Sequence, residues 1–175
     1  LHDAIVAAHP GVTATDLAGH DLTPAPGACI SGARNCNGDN RDALYSGLLP
    51  FRLMDGDQLV VYGVDHHASG KATYANVSVY DTSKLFGVAS IDSRAYPGTA
   101  ADFLPGDPRA AHLFAWTFAR HCPSGAAHCT EIPTTCPGVP LGTPVDFASR
   151  AYLEPSTQTG PLAAELLLDR AVLFR

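Results

Sequence analysis

Residues 58–81, QLVVYGVDHHASGKATYANVSVYD, limit the folds open to this chain. Two runs rich in Val and Tyr flank a polar turn, and the second run alternates. Tyr74, Asn76, Ser78 and Tyr80 point one way, and Ala75, Val77 and Val79 the other. A period of two belongs to a strand, because successive Cβ atoms point to opposite faces of a sheet. Similar runs recur along the chain, interrupted by 14 prolines and 16 glycines that break helices. Strands are expected from about residue 43 onward. Residues 51–54 and 59–64 read as a hairpin closed by Asp55-Gly56-Asp57, since Asp-Gly tolerates positive φ. Residues 72–80, 85–91, 112–120, 145–153 and 166–174 follow, with a helical turn expected within 162–168 and a helical turn or strand at 4–9. Short strands at this spacing with Pro/Gly turns predict a mostly β chain. The expected fold is an antiparallel β-sandwich or jelly roll with long disulfide-pinned loops and little helix. The 175 residues suit a single domain: a loop-rich N-terminal arm over 1–42 and a sandwich over 43–175, with a Cys/Pro-rich excursion at 122–144.

Charge and hydropathy exclude several functions. The formal net charge is −6 and the 11 basic residues are scattered, whereas nucleic acid binding needs clustered Lys and Arg to neutralise phosphates. Nor does any apolar run approach the roughly 20 residues that span a bilayer, so no membrane insertion is expected.

Five cysteines fall into two groups at one spacing: Cys29 and Cys36, then Cys122, Cys129 and Cys136. Cysteines beside turn-forming Gly, Pro and Asn suit disulfides better than core packing, and no CxxC or HxxxH spacing supports zinc. The odd count leaves one thiol free, or paired with another segment or chain. The chain opens on Leu1-His2-Asp3, without an initiator Met or a signal peptide. These features predict a processed or truncated piece of a larger extracellular or cell-surface protein, with the periplasm as the alternative location.

The candidate sites are few. Asp65, His66 and His67 lie between two expected strands, where a scaffold displays side chains. With His112, His121 or His128 they offer imidazole and carboxylate ligands suited to zinc, copper or non-haem iron. Adjacent residues on extended chain face opposite ways, however, and solvated loop histidines fit the same residues. A copper site using Cys122 and His128 lacks a nearby axial Met. Lys71 follows the turn, and with Tyr74 could supply acid–base or anion-binding groups. Gly70-Lys71 also resembles a phosphate-binding loop, but six residues separate it from Gly63 where four are required, and Ala72 stands where Ser or Thr would hold magnesium. Asp39, Asn40 and Asp42 form a short acidic loop of the kind that binds calcium, without the spacing or terminal Glu of an EF-hand. The string GDNRD over 38–42 resembles a fragment of a box found in type I signal peptidases. That family's catalytic Ser–Lys pattern does not accompany it, so no function follows from the likeness. There is no GxSxG elbow for a serine hydrolase.

Asn76-Val77-Ser78 is an N-glycosylation sequon. The alternation expects Asn76 on a solvent-exposed face with Tyr74 and Tyr80, where paired tyrosines can stack on sugar rings or other amphipathic ligands. The sequence therefore favours a secreted, non-catalytic β-sandwich module for ligand binding or assembly. The alternative is a metal-dependent extracellular enzyme at Asp65, His66 and His67; a third is a coat or matrix component joined through the odd cysteine.

Overall fold

The computed structural model describes residues 1–22 and 42–175. One short helix, α1 (His2–Ala7), precedes the strands β1 (Ala14–Leu17), β2 (His20–Asp21), β3 (Ala43–Gly47), β4 (Phe51–Arg52), β5 (Gln58–Val64), β6 (Tyr74–Asp81), β7 (Phe86–Asp92), β8 (Leu113–Ala119), β9 (Cys129–Glu131), β10 (Pro144–Tyr152) and β11 (Arg170–Phe174). They form two sheets. Sheet I has the order β1-β11-β5-β8-β9; sheet II has the order β2-β3-β10-β6-β7, with β4 also paired to β10. All pairings are antiparallel except β8 with β9.

The sheets meet through one continuous apolar layer. Leu59, Val61, Phe114, Phe118 and Leu173 from sheet I pack with Val77, Val79, Ile91, Val145 and Phe147 from sheet II. Sheet I is covered on its other side as well: Ile5 of α1, with Leu1, Val6 and Phe103, packs on Val60, Tyr62, Ala115, Val172 and Phe174. That double burial explains why β5 and β11 read as nearly unbroken apolar runs. Among the described residues sheet II packs an apolar layer on one side only, and β10 alternates strictly between buried and half-buried residues. The sandwich expected from the sequence is therefore present, with one face of one sheet left for polar and aromatic side chains.

The hairpin expected at Asp55-Gly56-Asp57 is a correction. Gly56 does take positive φ, at 84°, but β4 pairs with β10 and β5 with β8 and β11, so the turn carries the chain from sheet II to sheet I. The Asp57 carboxylate accepts the Met54 amide, and Leu53 turns into the core at 1% exposure. The described part of the N-terminal arm holds α1 where a helical turn or strand was expected at 4–9. It departs from the expected loop in β1 and β2, which extend the edges of both sheets through β11 and β3.

Arg120 holds the excursion against the sandwich. Only 2% exposed, it donates from Nε to Leu53 O and from Nη1 to Ile132 O, Pro133 O and Val139 O, with Nη2 on Pro140 O. The guanidinium's fixed fork of donors satisfies carbonyls from two segments that form no ladder with each other. Arg120→Met keeps much of the volume but orphans these carbonyls, at about 1–3 kcal/mol for each that stays dry. A loss of about 3 kcal/mol or more is expected in urea unfolding; a variant within about 0.5 kcal/mol of the parent, as at ordinary surface positions, would show that Arg120 does not organise this region.

Candidate functional site

The 65–67 turn is built by its acid. Asp65, 2% exposed, accepts the amides of His67 (3.0 Å) and Ala68 (3.1 Å) through Oδ1, an Asx turn that closes the loop. His66 folds inward and donates from Nε2 to Leu167 O at 3.1 Å; burial holds its pKa below the usual histidine value. His67 and His112 are exposed. His128 hydrogen-bonds Asp102 at 2.6 Å, its ring tilted against Trp116, and His121 lies 3.5 Å from Asp55. The structure therefore scatters the predicted metal ligands. Among the described residues no group of three His, Cys, Asp or Glu is placed to hold a metal ion.

Lys71 is engaged by two carboxylates, Glu154 at 2.7 Å and Glu165 at 3.0 Å, so it staples loops. Asp39 and Asn40 lie outside the described residues; Asp42 is exposed, and its carbonyl accepts the Leu153 amide. Cys29 and Cys36 are also outside them. Cys122 and Cys129 form a disulfide, and Cys136 is free and exposed.

A polar cluster unremarked in the sequence lies between the sheets. Asp169, 8% exposed, has the Ser149 side chain as its polar neighbour, and Ser149 Oγ meets Ser46 Oγ at 2.7 Å. Asp169 Oδ1 has no partner. Two glycines make room for this residue: a Cβ at Gly63 would strike the carboxylate, and one at Gly19 would strike the Asp169 carbonyl. Tyr96, stacked on Phe114 at 4.1 Å, closes the neighbouring side. Asp169, Ser46, Ser149, His66 and Tyr96 line a cavity of about 20 Å³, room for about one water and not for a substrate.

The outer face of sheet II is the more open chemical surface. Outward residues of β10 are Asp146, Ala148, Arg150 and Tyr152; across the ladders Arg150 lies between Tyr45 and Asn76, and Tyr152 opposite Tyr74. The Arg150 guanidinium sits over both the Tyr45 ring (5.0 Å) and the Tyr80 ring (5.6 Å) and donates from Nη2 to the Tyr80 hydroxyl at 2.6 Å. Small residues in the row between, Ala148 and Ser78, leave space for it to lie down along the strand. Tyr74 and Tyr152 form a tilted pair at 5.6 Å, and Tyr45 hydrogen-bonds Tyr152. Four of the chain's six tyrosines thus share this face.

The expected exposure of that face needs correction. Only Tyr74 is exposed; Asn76 and Tyr80 are half-buried, and Ser78 is buried, because Arg150 and the flanking rings lie over the strand. Asn76 sits mid-sheet between β10 and β7, with Nδ2 donating to Ser78 Oγ and Oδ1 buried without a partner.

No protein-family profile matches this chain, and no curated protein or solved structure matches it either. Fold and site define it as a two-sheet β-sandwich with a tyrosine- and arginine-bearing outer face.

Burial raises the Asp169 carboxyl from the ordinary 3.8 to about 7. The folded state therefore favours the protonated acid more than the unfolded chain does. Its contribution is complete below about pH 4 and is lost as pH rises towards 7. Other acids, such as Asp107 held at about 2 by Arg109, act in the opposite sense, so a difference isolates the effect. Unfolding midpoints of the parent relative to Asp169→Asn should fall between pH 4 and pH 7 and level off above. A difference independent of pH would contradict the buried, unpaired carboxyl.

Proposed function

We propose that this chain is a non-catalytic β-sandwich module of an extracellular protein and that it binds a saccharide on the outer face of sheet II. The observation that supports it is the gathering of Tyr45, Tyr74, Tyr80 and Tyr152 around Arg150 on the one sheet face not packed by α1 or the other sheet. Tyrosine offers an apolar ring and a polar rim, which together match the C–H faces and hydroxyls of a sugar. The Cys122–Cys129 disulfide supports an oxidising compartment. Exposed Cys136 is the group through which another segment or chain would be joined. No helix among the described residues is long and apolar enough to cross a membrane. The alternative, a metal-dependent enzyme at Asp65, His66 and His67, gains no support from the geometry, because Asp65 caps its own turn and His66 is spent on Leu167.

Calorimetric titration with soluble oligosaccharides tests the binding reading. Tyr152→Ala and Tyr74→Ala should each weaken binding about tenfold, or about 1.4 kcal/mol, with melting temperatures near that of the parent. Binding that survives both substitutions unchanged would place the ligand elsewhere.

A further inference from the structure

We propose that the saccharide bound by this face is acidic, and that Arg150 receives its carboxylate or sulfate. The inference rests on the binding reading above and adds the ligand's charge.

The argument starts from an unbalanced cation. Among the described residues, Lys71, Lys84, Arg94, Arg109 and Arg175 each have a carboxylate within 4.0 Å, and Arg52 and Arg170, which form no such pair, are exposed to water. Buried Arg120 is satisfied by backbone carbonyls. Arg150 is half-buried, and its partners are two tyrosine rings and one tyrosine hydroxyl. Ring faces attract a cation but leave its in-plane donors unused. Nη2 serves Tyr80, and Nε is buried without an acceptor, whereas Nη1 has no acceptor among the described residues and reaches solvent. Nη1 is thus the guanidinium nitrogen left to donate to a carboxylate or sulfate oxygen, in a charge-assisted hydrogen bond.

The acids nearby do not meet that need. Asp92 lies in the Arg150 row beyond Asn76 but is held by Arg94, with Nη2 at 2.6 Å. Asp146 shares the face, yet it forms no ion pair with Arg150; the positive group that acts on it is His20. Tyr74 and Tyr152 lie one row away from Arg150 along the strands, which is about 7 Å, so a sugar stacked on that pair would have its acidic substituent near the guanidinium. A net charge of −6 repels polyanions at long range, so selectivity for acid has to be local.

The test titrates the full chain with three probes of matched length: a neutral β-linked glucose oligosaccharide, an oligogalacturonate and a heparin-derived oligosaccharide. At least one acidic probe should bind ten-fold or more tightly than the neutral one, and the two acidic probes tell carboxylate from sulfate. Arg150→Ala should abolish the preference, so that the acidic and neutral probes bind this variant within about two-fold of each other. Arg150→Lys, which keeps the charge and most of the packing, should show a preference between those of the parent and Arg150→Ala and guards against misfolding, with melting curves recorded for each. Equal binding of all three probes, or an acidic preference that survives Arg150→Ala, would overturn the inference and leave the saccharide module standing. Failure of every probe to bind would remove both.

Discussion

The open face depends on the alternation of β10. Its nine residues pair with β3, β4 and β6, and the two-residue period sends Val145, Phe147, Ser149 and Ala151 inward while Asp146, Ala148, Arg150 and Tyr152 face out. A slip of one residue would exchange the sets, burying a guanidinium and a carboxylate between the sheets and exposing the core. The inward set is thus enforced by burial, and the outward set is fixed with it. Each outward side chain then meets what the register provides: Tyr45 and Asn76 for Arg150, Tyr74 for Tyr152. The aromatic cluster is a consequence of core packing on the other side of the same strand.

Sheet I has no such freedom. With α1 and Phe103 on one side and sheet II on the other, its central strands hold residues that only the interior tolerates. Of the polar groups buried in this interior, Arg120 and Asp169 are accommodated differently. Arg120 reaches carbonyls that would otherwise be buried unpaired, so it organises the 132–140 segment. Asp169 keeps one oxygen without a partner, in space cleared by Gly63 and Gly19. It reduces stability near neutrality, as a buried carboxyl without a cation must.

Much of the framework was legible because it is written in local period and punctuation. The positions of β5, β6, β7, β8 and β10 follow from alternation and apolar runs bounded by Gly and Pro. The short strands β1, β2 and β9 were not legible: ATDL, HD and CTE have no period of their own and are strands only because a longer neighbour pairs with them. The Asp55-Gly56 turn was recognised, but its partner strand was not, since turn chemistry sets local φ and not the sheet to which the chain continues. Tyr74 and Tyr80 share one face, as the alternation of β6 requires. Arg150, which organises that face, has no local signal, because its contacts come from β3 and β6, distant in sequence. The histidines misled for the opposite reason. Their adjacency suggested a site, while Asp65 and His66 were already committed to the backbone.

The six tyrosines offer a direct test of where the ligand sits, because two serve as internal references: Tyr62 packs beneath α1, and Tyr96 is buried against Phe114. The measurement is the NMR spectrum of ring-labelled tyrosine during titration with an oligosaccharide that binds. The account predicts shifts at Tyr45, Tyr74, Tyr80 and Tyr152, with Tyr62 and Tyr96 unmoved. Shifts at Tyr62 or Tyr96 alone, or a saturable interaction that leaves all six unchanged, would contradict it.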